Sequence, residues 1–211
     1  RQSVAGITVQ TVNTNEEDSL QFLAAEKCYM KSDWNQAIVS LNNYLVKYCD
    51  ELSFNCITAQ FYLAESYYNI GNKQQAMIRY HKLTTMDGNE YMETSLLKAA
   101  EIAYDREEYA SANSYFNKLL LVATTGENRA TARLGILRCS FYTNLYDQTI
   151  HIANDIMSQG NASAELQREA RYNRAKSYIA LSKADSAVDD LVELSREPGT
   201  KAGAEANYLY S

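Results

Sequence analysis

Few residues of this chain could do chemistry, and they are scattered. There are four cysteines, Cys28, Cys49, Cys56 and Cys139, and two histidines, His81 and His151. A zinc site needs thiolates or imidazoles at short spacing, so that four ligands converge on one ion. These cysteines form no CxxC pair and have no histidine nearby, which argues against a metal. Each histidine stands without the partners that acid–base or metal chemistry requires. No Gly-rich phosphate loop, Ser–His–Asp set or GxSxG elbow is present. Glu16-Glu17-Asp18 reads as the negatively charged start of a helix, matching its dipole. Glu107-Glu108 and Asp189-Asp190 read as solvated faces, and Trp34 as a packed turn residue with Asp33 as a cap. Asn161-Ala162-Ser163 is an Asn-x-Ser triplet given little weight. Neither an enzyme nor a cofactor is expected. Cys49 and Cys56 lie seven apart around an expected turn, and two readings stay open: a disulfide in an oxidising compartment, or two free thiols in a packed corner.

What the chain must build is clearer. Apolar residues make up 46% and charged residues 22%, close to ordinary soluble proteins. A net charge of −6 and a pI near 5.0 argue against nucleic acid as partner, because phosphate needs a concentrated surplus of Lys and Arg. No apolar run approaches the roughly 18 residues a membrane span needs. One Pro and eight Gly suit helices. The chain begins at Arg1 without Met and reads as an excised or processed piece.

The stretch FYLAESYYNIGNKQQA (61–76) returns as YNRAKSYIALSKADSA (172–187), 111 residues on. Ala37, Ala76, Ala112, Thr149 and Ala187 mark one register, with steps of 39, 36, 37 and 38. Twelve residues before each mark stand Ala25, Ala64, Ala100, Leu137 and Ala175. Four after it stand Leu41, Tyr80, Phe116, Ala153 and Leu191; three further on stand Tyr44, Leu83, Leu119, Ile156 and Leu194. Spacings of three, four and seven define one helical face. Each repeat therefore reads as two amphipathic helices joined by a tight turn: KSDW, IGNK, REEY, TNLY or LSKA. Small or polar residues in most of these turns can cap the second helix. Small residues at the crossings let the two helices approach closely. In the fourth repeat, Leu137 and Thr149 replace them and predict a slightly wider crossing.

This pattern resembles the tetratricopeptide repeat. The resemblance covers Ser19 to Leu194, and a sixth first helix begins at AEANYLYS. It departs from the family in its repeats of about 37 residues rather than 34, and in a closing proline present only as Pro198. The fold expected is all-α: a right-handed α-α superhelix of about five helix-turn-helix repeats plus a truncated sixth first helix. Residues 16–211 would form one solenoid, with repeats near 18–53, 54–90, 91–126, 127–163 and 164–200 and a partial one at 201–211. Residues 1–15, with their Val, Ile and Thr alternation, are expected to be a linker or extended arm. The phrasing of the repeats also looks like long envelope proteins of Gram-negative bacteria, which implies a periplasmic or other cell-envelope location.

The resemblance further implies a concave groove lined by first helices. By register it would show Tyr29, Tyr68, Tyr104, Phe141 and Ile179, and earlier along each helix Phe22, Phe61, Leu97, Leu134, Tyr172 and Tyr208. Between them lie Glu26, Glu65, Glu101, Arg138 and Lys176, an acidic half followed by a basic half. Such a groove could hold an extended peptide in one direction. The competing reading is that the rings pack between repeats and the charges only keep the surface wet. The function expected is a non-enzymatic protein- or peptide-binding scaffold in envelope assembly. The alternatives are a glycan-binding protein on the same scaffold, or a structural spacer. Tyr208, Leu209 and Tyr210 form an apolar end suited to self-association.

Overall fold

The computed structural model describes residues 3–49 and 53–210, with side chains from residue 16 to 209 within those ranges. Among the described residues there are eleven α-helices and no strand. In order they are α1 (Ser3–Met30), α2 (Trp34–Tyr48), α3 (Phe54–Asn69), α4 (Lys73–Thr84), α5 (Met92–Asp105), α6 (Tyr109–Val122), α7 (Gly126–Tyr142), α8 (Tyr146–Ser158), α9 (Ala164–Ala180), α10 (Ala184–Ser195) and α11 (Lys201–Tyr210). None is long and apolar enough to cross a membrane.

The segment expected to be a linker or extended arm is helical from Ser3. No glycine or proline interrupts the chain between Ile7 and Met30, so nothing stops the helix from propagating. Glu16-Glu17-Asp18 consequently does not begin a helix. All three lie inside α1, and two of them hold the end of α2: Lys47 Nζ (2.8 Å) and the Tyr48 hydroxyl (2.9 Å) donate to Glu17, and the Tyr44 hydroxyl donates to Asp18.

Two compact units emerge, Arg1–Ala99 and Ala100–Ser211. In the first, α1, α2, α3 and α4 pack each on the next, and α1 also touches α3. In the second, the helices from α6 to α11 pack in sequence, with α7 on α9 and α9 on α11. Helix pairs stacked in this way form a tetratricopeptide-like array.

The register read from the sequence is the core. All five marks are buried, and so are the positions twelve before, four after and seven after them. Tyr44, Tyr80, Leu41, Leu83, Leu119 and Ile156 are among the largest fully buried side chains. Burying each aliphatic one contributes roughly 1.5–3 kcal/mol. In the fourth repeat Leu137 and Thr149 are both fully buried, and the Thr149 hydroxyl pairs with that of Ser140 at 2.8 Å.

The turns share one geometry. Five residues before each mark, Ser32, Gly71, Glu107, Asn144 and Ser182 all take φ between 57° and 79°. The next residue's N–H reaches back to close the preceding helix: Asp33 to Cys28, Asn72 to Tyr67, Glu108 to Ala103, Leu145 to Ser140 and Lys183 to Tyr178, at 2.8–3.0 Å. This is the Schellman arrangement, and it favours glycine at the positive-φ residue. Only Gly71 meets that preference. Ser182→Gly should therefore raise stability by about 1 kcal/mol, read as a higher urea midpoint. An unchanged midpoint would mean the turn relaxes in solution.

Side-chain capping is narrower than the turn sequences suggest. Asp33 accepts from Gln36 N–H and Asn72 from Gln75 N–H, whereas Glu108, Leu145 and Lys183 make no cap bond. The Schellman turn alone sets the second helix there.

Cys49, which ends α2, is bonded to Cys56 in the first turn of α3, with Cα atoms 5.6 Å apart. The bond ties the first repeat to the second. Reduction should cost about 2 kcal/mol, since the closed loop is short. The check is thermal unfolding with and without dithiothreitol, using Cys49→Ser as a control that should not respond.

Candidate functional site

In the first unit, the predicted groove residues are half-buried on first helices α1 and α3. Tyr29 stacks on Tyr62 with centroids 4.0 Å apart and meets Trp34 edge-on at 5.7 Å. Phe61 stacks on Tyr91 at 4.2 Å. Tyr68 meets Tyr80 edge-on at 6.5 Å, and Lys98 Nζ lies 4.6 Å from the Tyr68 ring. Glu65 accepts the Tyr80 hydroxyl, and Glu26 accepts that of Tyr62. Phe22 departs from the expectation. It is 6% exposed and packs on Tyr44 at 5.5 Å, so it is core.

In the second unit, Tyr104 meets Tyr109 edge-on at 5.4 Å, and Phe141 meets Tyr146 at 6.5 Å. Glu101 is half-buried on α5. Arg138 donates twice to Glu169 on the following first helix, at 2.6 and 2.9 Å. Lys176 repeats that contact with Glu205 at 2.5 Å, and Glu205 also accepts the Tyr172 hydroxyl at 2.6 Å. A cleft of about 480 Å³ opens between α9 and α11. Tyr172, Glu169, Arg168, Glu165 and Lys201 line it.

These contacts bear on the charge idea. Arg138 and Lys176, read from the sequence as orienting charges, are both engaged by glutamates of their own unit. Glu65 is engaged by a tyrosine. The rings remain partly exposed in each unit. Burial, then Glu205, pushes the Tyr172 phenol up to about 12. Burial, then Glu65, raises Tyr29. Burial raises Tyr104 against the lowering effect of Arg138. Glu205 is held below the usual carboxylate range by the Lys176 and Tyr172 bonds, so its contribution to stability is present at neutral pH and fades on acidification. This arrangement can stack on, and donate hydrogen bonds to, an extended ligand. Burial pushes the Cys139 thiol up to about 11. Among the described residues no group of three His, Cys, Asp or Glu could hold a metal.

Three features went unread in the sequence. Asp190, expected on a solvated face, is 1% exposed and ion-paired to Arg174 and Arg171. The signal was available, because an acid three after the mark faces arginines 13 and 16 before it in the same repeat. The second is a cleft of about 440 Å³ at the start of α7 and α9, beside Arg129 and Arg133. These donate to the Ala123 carbonyl and to Asp155. The third is a row of rings running beyond Tyr104 and Phe141 to the exposed Tyr142.

The family model for the tetratricopeptide repeat matches residues 58–86, the second repeat. Among curated proteins none matches the chain. Of solved structures, YrrB, described as a TPR protein with an unusual peptide-binding site, superposes with a TM-score of 0.61 at 14% identity. The alignment covers 95% of this chain and 97% of that one. MamA superposes with a TM-score of 0.55 at 15% identity over 89% and 95% of the two chains. MamA of AMB-1 gives 0.56 at 11% identity, over 92% and 93%. At such identities the likeness is one of fold.

Proposed function

We propose that this chain, a tetratricopeptide-repeat protein by its fold and by its second repeat, is a non-enzymatic scaffold that holds a protein or extended peptide against its first helices. The observation that carries this reading is a repeated one. Tyr29, Tyr68, Tyr104 and Phe141 occupy one register position on four successive first helices, each half-exposed and held edge-on or stacked by a neighbouring ring. Rings already fixed by packing offer contact area at little entropic cost. The peptide-binding description of YrrB supports the same use of the fold. The Cys49–Cys56 bond supports an oxidising compartment, in keeping with a periplasmic or envelope setting. The exposed Tyr208 of α11 offers a further surface for self-association.

The test is capture from a native envelope extract. The baits are the chain and its Tyr68→Ala, Tyr104→Ala, Phe141→Ala form, with folding verified by circular dichroism. Truncating central aromatic contacts costs on the order of 2 kcal/mol each, so the variant should lose its partner. Retention of the same proteins by both baits would assign these rings to packing alone.

A further inference from the structure

We infer that the cleft at the start of α7 and α9 is a ligand site for a carboxylate carried on a short aliphatic body. It goes beyond the groove reading, since none of Tyr104, Phe141 or Tyr172 lines it. Arg129 and Arg133 line it from α7. They stand four apart, so both guanidiniums leave the same face of that helix. Ile156 and Leu166 add apolar surface, and Gln159 and Asn161 add side-chain amides. The volume, about 440 Å³, suits a small ligand or one end of a chain rather than an extended segment. No carboxylate lines the cleft among the described residues, although the chain carries a net charge of −6.

The fourth repeat alone brings two arginines to these positions. Twenty and sixteen residues before the mark, the other repeats place Glu17 and Gln21, Cys56 and Gln60, Met92 and Leu96, and Gln167 and Arg171. In the second and fifth repeats the later of the two is closed by the residue three after the mark: Arg79 donates to Gln60, and Arg171 donates to the buried Asp190. In the fourth repeat that place holds Ile152, buried and with no polar atom to offer. Arg133 turns instead to Asp155 and gives it Nε alone, at 2.5 Å. Its Nη1 and Nη2 make no hydrogen bond among the described residues, and they are not sealed from solvent. Arg129 uses only Nη1, on the Ala123 carbonyl at 2.8 Å.

Asp155 does not cancel this charge. Its Oδ2 accepts from Arg133 and its Oδ1 from Gln159 Nε2 at 3.2 Å, so one cation is balanced and Arg129 is left over. These two bonds also hold Arg133 in place before any ligand arrives. Unused N–H groups on planar guanidiniums match the two oxygens of a carboxylate. A carboxylate held there brings the group it is attached to against Ile156 and Leu166, which favours an aliphatic body. Inorganic phosphate would satisfy the guanidiniums but leave that apolar surface unused. Two sources share the chemistry. One is a free aliphatic acid; the other is the last residue of a polypeptide, whose carboxylate and side chain branch from one carbon.

The test is isothermal titration of the intact chain with 4-methylpentanoate, its amide and inorganic phosphate, and with a short peptide ending in leucine, as free acid and as amide. At least one acid should bind about tenfold more tightly than its own amide and than phosphate. Binding of the peptide acid alone assigns the site to a chain end, binding of 4-methylpentanoate alone to a free ligand, and binding of both to the shared chemistry. Arg129→Gln and Arg133→Gln should each weaken the acid about tenfold, and Leu166→Ala about threefold. Arg129→Lys keeps the charge without the fork and should recover part of the loss. Arg129→Gln is the informative variant, because it removes only one bond to a carbonyl and should leave the melting temperature unchanged. Tyr68→Ala in the first unit should leave binding of the acid unaltered. The inference is overturned if the amides bind as tightly as the acids, if phosphate does, if Arg129→Gln binds as the parent does, or if neither acid binds at about 10 mM. The groove reading survives any of those results, since its rings do not line this cleft.

Discussion

Asp190→Ala is expected to lower stability by about 3 kcal/mol, a drop in melting temperature of roughly 6–12 °C for a chain this long. Asp190 is on α10, 1% exposed, with Arg174 donating to both of its oxygens at 2.6 Å and Arg171 reaching one at 3.4 Å. Both arginines lie on α9, so the carboxylate staples the two helices of the fifth repeat. Arg174 also donates to Asn154 on α8, which extends the network to the preceding repeat. Removing the acid leaves two guanidiniums without the partner they share. Both side chains are partly exposed, 21% and 32%, so they recover some hydration, and the cost falls at the lower end of that for broken buried pairs. Asp190→Asn keeps the shape and part of the hydrogen bonding and should cost about half as much. Urea unfolding followed by circular dichroism measures both. The double variant Asp190→Leu, Arg174→Met should recover most of the loss, because apolar groups of similar volume often replace a buried pair without penalty. A loss below about 0.5 kcal/mol in Asp190→Ala would mean the pair contributes no more than a surface contact.

Gly135→Val is expected to cost about 3 kcal/mol or to prevent folding of the second unit. A Cβ on Gly135 would stand 2.4–2.5 Å from three ring carbons of Phe116. Phe116 is itself core, on α6 and 5% exposed, so it cannot swing aside without disturbing close-packed neighbours. Alanine should cost less, about 1–2 kcal/mol, because it regains helix propensity. The same contact points to a rescue. Phe116→Leu shortens the opposing side chain, so Gly135→Ala should be less harmful in that background than alone. A double-mutant cycle with coupling below about 0.5 kcal/mol would show that the helices yield rather than the ring.

The array was legible because it is written several times. One repeat's apolar spacing is weak evidence, but a register kept over steps of 36 to 39 residues fixed the helix pairs and predicted every buried mark. The faces were harder. Phe22 and Phe61 share a register position, yet Phe22 is core and Phe61 is a half-buried stack on Tyr91. Periodicity gives the direction a side chain takes from its own helix; it cannot show what stands opposite. Asp189 and Asp190 are adjacent acids of equal hydropathy. Only the position of Arg171 and Arg174 on the neighbouring helix buries one and leaves the other in water.

The sequence by itself determined the helix-pair architecture and the core positions, because these follow from residue type and spacing along one chain. The tertiary structure decided which charges are engaged. Arg138 and Lys176 read as open cations and are closed by Glu169 and Glu205, some thirty residues on. It also decided that the Cys49 and Cys56 thiols meet, and that Glu16 to Asp18 lie within a helix rather than at its start. Each of these depends on distances across the stack, which pairwise spacing along a sequence does not encode.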